Sequence, residues 1–204
     1  MAFVAVIDAN ALVPGRLRGV LVGAAIEEMY EPAWTEQILD ETVRGVANAH
    51  PDIAVGDIRR NVDLLRRAVP SAMVAGYEGL TPVMTNHEGD RHVLAAAVHR
   101  GAGTIVTSNL RHYPEAARAP YEIDVQTPDE FLLDLLDLDT PTMARVLMEQ
   151  AASLRRPSMT AAQLVYSMRG VVPLFADAVL ERALREAPAD YVPDLTPEGA
   201  VPWT

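Results

Sequence analysis

Four polar residues stand where buried elements begin or end. Asp8 closes the apolar run "FVAVI", Asn109 follows "TIVTS", Asp90 opens "DRHVLAAAVHRGA", and Glu41 lies within "TEQILDETVR". Carboxylates brought together repel one another and raise each other's pKa, a cost that a bound cation removes. An all-oxygen donor set suits Mg2+ or Mn2+ better than zinc. Such a cation lowers the pKa of water and neutralises charge on a phosphodiester, so metal-assisted hydrolysis of that bond is the chemistry these residue types favour. Each residue also has an ordinary structural reading. Asp8 and Asp90 can cap helices, Asn109 can form a turn, and Glu41 can be a solvated helix side chain.

The neighbours are less specific. Glu88 precedes Asp90 by two positions and reads as a loop acid or a further ligand. His87, His92 and His112 fall near the same segments, and His50 and His99 at helix ends, with no H-E-x-x-H spacing. Surface or packing roles suit these histidines. Ser108 could touch a phosphate oxygen or simply form a turn. Asn10, in "DAN", stands where a phosphatase with two aspartates two apart would need its second carboxylate. Dinucleotide-binding, P-loop and nucleophile-elbow signatures are absent, and so are lysine and cysteine. Without cysteine there are no disulfides or thiolate sites.

The elements that must position these residues follow from apolar pattern and punctuation. Residues 3–7 and "TIVTS" read as short, fully buried strands, and "YEIDVQ" supplies another. "NALVPGRLRG" reads as a turn or loop, followed by a helix over "RGVLVGAAIEEMYEP". A second helix over 33–50 is capped by Thr35 and ended by Pro51. A third carries Ile58, Val62, Leu65 and Val69 on one side. The helix from Asp90 ends at Gly101 or Gly103. Uniformly apolar strands alternating with helices predict a parallel sheet covered on both faces, with ligands beyond the carboxyl ends of the strands. Asp8 and Asn109 then share one rim.

From about residue 129 the pattern is helical only. Thr127-Pro128 opens it as cap and first helical position. The chain thus divides into 1–128, a helical appendage over 129–188, and a proline-rich tail over 189–204. In "FLLDLLDL", Phe131, Leu132, Leu135, Leu136 and Leu138 need a surface to cover. No run approaches the length of a membrane span, and the N-terminus has no basic leader, so a cytoplasmic protein with no membrane association is expected.

The net charge of −11 is uneven. Residues 1–120 hold 14 acidic and 11 basic side chains, and residues 121–204 hold 14 and 6. A global field of this sign repels nucleic acid, so phosphate contacts would have to be local. Arg16, Arg18, Arg91 and Arg111 flank the candidate residues, unlike Arg59, Arg60, Arg66 and Arg67 on the third helix.

The segments "FVAVIDANALV", "WTEQILDETVR", "GDRHVLAAAVHRGAGTIVTSNLRHYP" and "DVQTPDEFL" together resemble PIN-domain ribonucleases of the VapC toxin type, over residues 3–132. The resemblance implies a three-layer α/β/α sandwich with a parallel sheet, here with an all-helical C-terminal appendage. It implies Mg2+- or Mn2+-dependent cleavage of RNA. Its catalytic positions fall on Asp8, Glu41, Asp90 and Asn109, with Asp8 and Asp90 holding the metal. Asn109 departs from the aspartate often found there, and Glu88 from the usual aspartate before Asp90. A cognate antitoxin protein and a homodimer are further implications. The alternatives are a non-catalytic protein-binding module on the same fold, or a metal-dependent DNA nuclease or other phosphodiesterase.

Overall fold

The computed structural model describes residues 3–155 and 157–186. The proline-rich tail expected over 189–204 lies outside the described residues. Four parallel strands form one sheet in the order β2-β1-β3-β4: β1 is Val4–Ile7, β2 Glu31–Ala33, β3 Thr104–Val106 and β4 Asp124–Gln126. Register pairs Val6 with Ala33 on one side and with Ile105 on the other. Ala5, Val6, Ile7, Ile105 and Val106 are fully buried, as strands covered on both faces must be. Helices flank the sheet in the PIN-like α/β/α sandwich that the resemblance implies.

The chain leaves β1 toward β2 through α1 (Ala9–Leu12) and α2 (Gly15–Ile26). It reaches β3, on the other side of β1, through α3 (Glu36–Ala49), α4 (Val55–Ala68) and α5 (Arg91–Arg100). The order reverses at β1, so the carboxyl ends of β1 and β3 border the crevice where such sheets place ligands.

Two elements differ from the sequence expectation. The stretch after Asp8 is not a plain loop: residues 9–12 make one helical turn, capped by Asp8, and α2 starts already at Gly15. β2 stands where the sequence pattern predicts the end of a helix. Its Pro32 lacks an N–H, yet an edge strand tolerates that, and pairing with β1 fixes its conformation. Elsewhere the signals hold. Thr35 accepts from the Ile38 N–H and caps α3, and Gly101 ends α5 in the left-handed conformation, at φ 67°.

α6 (Glu115–Arg118) precedes β4, and four helices follow it: α7 (Pro128–Leu138), α8 (Thr140–Ser153), α9 (Ala161–Ser167) and α10 (Pro173–Glu186). Thr127 and Glu130 close a capping box on α7, with Pro128 at its first position. Phe131 meets Tyr30 edge to face at 4.9 Å and Phe3 at 6.0 Å, docking α7 on the sheet layer. Leu132, Leu135 and Leu136 are buried, but Leu138, expected among them, is exposed at the helix end. α8 lies against α2 so closely that a Cβ on Gly23 would stand 2.9 Å from Val146 Cγ1. The carboxylate of Asp129 accepts from the Leu174 and Phe175 N–H groups at 3.0 and 2.8 Å, so α7 caps the start of α10.

Candidate active site

β1 ends in a buried carboxylate. Asp8 Oδ1 accepts from the Ala9 N–H at 2.7 Å. Asp8 Oδ2 accepts from the Thr107 hydroxyl at 2.7 Å and from Asn10 Nδ2 at 2.6 Å. The Asp8 N–H in turn donates to the Val106 carbonyl, locking the two strand ends together. Thr107 is the hub of the rim. Its hydroxyl also accepts from Asn10 Nδ2 at 2.8 Å and from the Asn109 N–H at 3.1 Å. Asn10 Oδ1 takes the Ser108 N–H at 2.8 Å. Asn109 is thus set by its backbone, as is Ser108. Asn10 and Thr107 were not read as functional; both lie inside motifs that were singled out, "DAN" and "VTSN", but only the β1–β3 pairing brings them together.

Two other elements bring carboxylates toward Asp8. Glu41 sits at the border of the buried face of α3, on which Ile38, Leu39, Thr42 and Val43 are covered. A Cβ on Gly45 would stand 2.5 Å from Val13 Cγ2, so the missing side chain lets α3 lie close against the chain just after α1. Glu41 accepts from Gln37 at 3.2 Å and pairs with Arg44 at 3.5 Å. Its Oε2 is 3.4 Å from His92 Nε2, but the two are not aligned as a hydrogen bond, and that buried nitrogen has no other partner. Burial pushes the Glu41 carboxyl up, while His92, Gln37 and Arg44 outweigh it and hold the group below its ordinary value. Asp90 precedes α5 but makes no cap bond. Its Oδ2 instead takes a short hydrogen bond from His112 Nδ1, and His87 Nδ1 stands 3.7 Å away.

The charges of Asp90 and Glu41 both reach Asp8. Burial raises the Asp8 carboxyl above its ordinary range, and the charges of Asp90 and Glu41 push the same way. The hydrogen bonds from Thr107 and Ala9 work against that rise. Tyr113 reports the same field. Its phenol is pushed up, first by burial and then by Asp8, Asp90 and Glu41. The Tyr113 hydroxyl is buried and has no hydrogen-bond partner, as is true of both side-chain polar atoms of Asn86.

Of the expected phosphate contacts, Arg18 is differently employed. It donates to the Leu12 and Val13 carbonyls and to Asn61, fastening α2 to α1 and α4, and desolvation lowers its pKa. α2 starts earlier than expected and turns Arg18 back onto the end of α1. Arg91 reaches the Asn86 carbonyl at 3.4 Å, and Arg111 is exposed. Glu88 is exposed on the 3-10 turn that precedes α5.

The donor chemistry fits a hard divalent cation. Asp8, Glu41 and Asp90 offer oxygen donors only, the charges of the last two penalise the first, and a buried phenol that feels all three has no partner. A PIN-like sandwich with an acid at the carboxyl end of β1, an asparagine beyond β3, and acids on two flanking helices is the class of protein this defines. Residues 128–181 match the family model described as the VapC50 C-terminal domain. Over 106 residues the chain is 42% identical to a Mycobacterium tuberculosis (strain ATCC 25618 / H37Rv) protein named "Putative ribonuclease VapC50". That match covers 52% of this chain and 63% of the relative, so the chain spans less than two thirds of the relative's length. No solved structure matches the chain. Both matches bear out the resemblance to VapC-type PIN ribonucleases that carry a C-terminal extension. Among the described residues, no helix is long and apolar enough to cross a membrane.

Proposed function

We propose that this protein is a cytoplasmic metal-dependent endoribonuclease, a VapC-type toxin that hydrolyses RNA phosphodiester bonds and is restrained by a cognate antitoxin protein. The observation that carries the reading is the Asp8 carboxylate, buried at a strand end and crowded by the charges of Asp90 and Glu41. An arrangement that costs stability without a cation is expected where a cation is bound in function. The name of the relative, a ribonuclease, supports RNA as the substrate.

Asp8 and Asp90 would hold Mg2+ or Mn2+. When bound, the cation supplies charge neutralisation for the scissile phosphate and lowers the pKa of attacking water. The chain's own residues do the positioning. Thr107, Asn10 and the Ala9 N–H fix the Asp8 carboxylate in one rotamer. Glu41, kept ionised by its polar neighbours, serves as a further ligand or orients water. Asn109, neutral and set by its backbone, orients water or a phosphate oxygen. Arg91 and Arg111, which flank Asp90 and Asn109 in sequence, are the phosphate contacts we propose.

We assign residues 1–128 to the nuclease part, 129–188 to the appendage, and a homodimer to the protein in solution, the last to be checked by sedimentation equilibrium. The decisive assay compares wild type with Asp8→Asn on structured RNA and on DNA of the same sequence, with Mn2+. Wild type should cut RNA and the variant should not. Equal cleavage by both proteins would remove the assignment, and cleavage of DNA alone would move it to another phosphodiesterase class.

A further inference from the structure

Two histidines that the proposed hydrolysis does not use converge on one oxygen of Asp90. One ring nitrogen each from His87 and His112 and an Asp90 carboxylate oxygen all lie within 4.8 Å of one another. The two imidazoles are stacked, with centroids 4.1 Å apart and planes 13° from parallel. The backbone builds this arrangement rather than leaving it to chance. The His87 N–H donates to the His112 carbonyl at 3.0 Å and the Asp90 N–H to the His87 carbonyl at 2.9 Å. The His112 N–H closes the second loop on the Asn109 carbonyl at 2.8 Å. Residues 87–90 and 109–112 are therefore one stitched unit, although they are far apart in sequence.

We propose that His87, Asp90 and His112 bind a divalent transition metal of the zinc, cobalt and nickel class, and that its occupancy withdraws Asp90 from the all-oxygen site. Zinc bonds nitrogen and carboxylate oxygen at roughly 2.0–2.2 Å, so two ligands of one ion stand at most about 4.3 Å apart. The His87–Asp90 separation of 3.7 Å meets that limit. Any wider pair closes by rotation of His87, whose side chain is 57% exposed. Imidazole selects zinc, nickel and cobalt over magnesium, and affinity for such a site exceeds that for Mn2+. Two imidazoles with one carboxylate also leave coordination positions open, which distinguishes the site from a closed structural one. The carboxylate oxygen in contact with both rings belongs to a residue the Mg2+ site needs, so the two cations compete for it. The binding half of this inference stands on the cluster alone. The inhibitory half rests on the ribonuclease reading.

The full chain, freed of metal, is titrated with Zn2+ by calorimetry and with Co2+ by visible absorption, which reports nitrogen ligation. Wild type should take up one Zn2+, and His87→Ala and His112→Ala should each bind it at least about tenfold more weakly. His50→Ala, at an exposed site elsewhere, should match wild type. His87 is exposed, so that variant decides the matter even if His112→Ala fails to fold. Zinc binding that is no tighter in wild type than in His87→Ala overturns the site. In the RNA assay with Mg2+, zinc at concentrations that saturate the site should inhibit wild type, and the inhibition curve of His87→Ala should shift by the factor seen in binding. Saturated zinc with undiminished cleavage overturns the competition. A wild type that cuts no RNA under any condition defeats the ribonuclease reading and leaves the binding result to judge the site.

Discussion

The rim at the ends of β1 and β3 and the helices that follow β4 treat buried polar groups in opposite ways. At the rim the Tyr113 hydroxyl, His92 Nε2 and the Asn86 amide are buried without hydrogen bonds, and Asp8 bears the cost of a charge out of water. Between α7 and α10 the covered carboxylate of Asp129 receives two backbone N–H groups. Arg182 adds bonds to Thr140 and an ion pair to Asp137. Among the described residues, no buried side-chain polar atom of α7–α10 lacks a partner. An unsatisfied buried polar group costs roughly 1–3 kcal/mol, so a rim with several is maintained against stability. The difference teaches that the appendage is built to hold and the rim is built to receive something.

The largest effect tests the holding side. Phe131 closes an aromatic group with Tyr30 and Phe3, and truncating a buried phenylalanine costs about 3–5 kcal/mol. Phe131→Ala should lower the free energy of unfolding by an amount of that size and unfold the appendage together with the sheet layer. Two separate transitions, with the sheet layer melting as in wild type, would show the appendage to be an independent domain. Truncation at residue 128 should likewise expose the surface under α7 and cause aggregation. Next in size is Asp129→Ala. It removes two charge-assisted bonds and orphans two N–H groups of α10, for a loss of about 2–4 kcal/mol by urea unfolding. If the comparison is right, this variant keeps the wild-type response to Mg2+.

Much of this division is legible in the chain itself. Uniform apolar runs marked β1 and β3, and the polar residues just after them marked the rim. Thr127-Pro128 announces α7 because its cap is local. What was not legible depends on pairing across distance. β2 carries a proline and only three residues, and it is a strand because β1 supplies its partner. Thr107 becomes the hub only because β3 lies beside β1, and Asp129 gains its role only where α10 comes to meet it. The histidines show no H-E-x-x-H spacing, so their types and order suggest surface and packing roles, and only the fold brings His87 and His112 together. Arg18 was misread as a phosphate contact because a helix start was placed too late. The same limit applies to function: types and spacing suggested a cation, while the placement of its neighbours needed the fold.

The receiving side should show in the linkage to metal and to protons. A cation bound only by the native state stabilises it by about 2.7 kcal/mol at a hundred times its dissociation constant. Mg2+ or Mn2+ should therefore raise the melting temperature of wild type and leave that of Asp8→Asn unmoved. Without metal, Asp8 has a native pKa above its ordinary 3.8, so the folded state binds the proton more tightly than the unfolded state does. Its contribution to stability is present at low pH and lost as pH rises from 3.8 through the native value. Melting temperature followed against pH should show this fall in wild type and not in Asp8→Asn. Saturating Mg2+ should abolish it, because the cation holds Asp8 ionised. A fall that persists in the variant would assign the proton to another group.

The smallest effect is the sharpest test, because it asks one atom to separate stability from function. The Tyr113 hydroxyl is buried among three acids with no partner. Tyr113→Phe removes only that oxygen and keeps the ring, so no large cavity forms. Removing an unsatisfied hydroxyl should cost nothing and should stabilise the metal-free protein by about 1 kcal/mol. A phenol that only fills space would change nothing else. A phenol whose pKa is pushed upward stays protonated at neutral pH and can donate. If its bond forms only once cation and RNA enter, the variant loses a hydrogen bond of about 1 kcal/mol, or roughly fivefold in cleavage rate. The expected pattern is thus a higher melting temperature without metal and slower cleavage with it. Scanning calorimetry and single-turnover RNA cleavage measure the two halves on the same preparation. A variant that is less stable and fully active would mean that the hydroxyl is paired in solution, and the contrast between rim and appendage would lose its clearest instance.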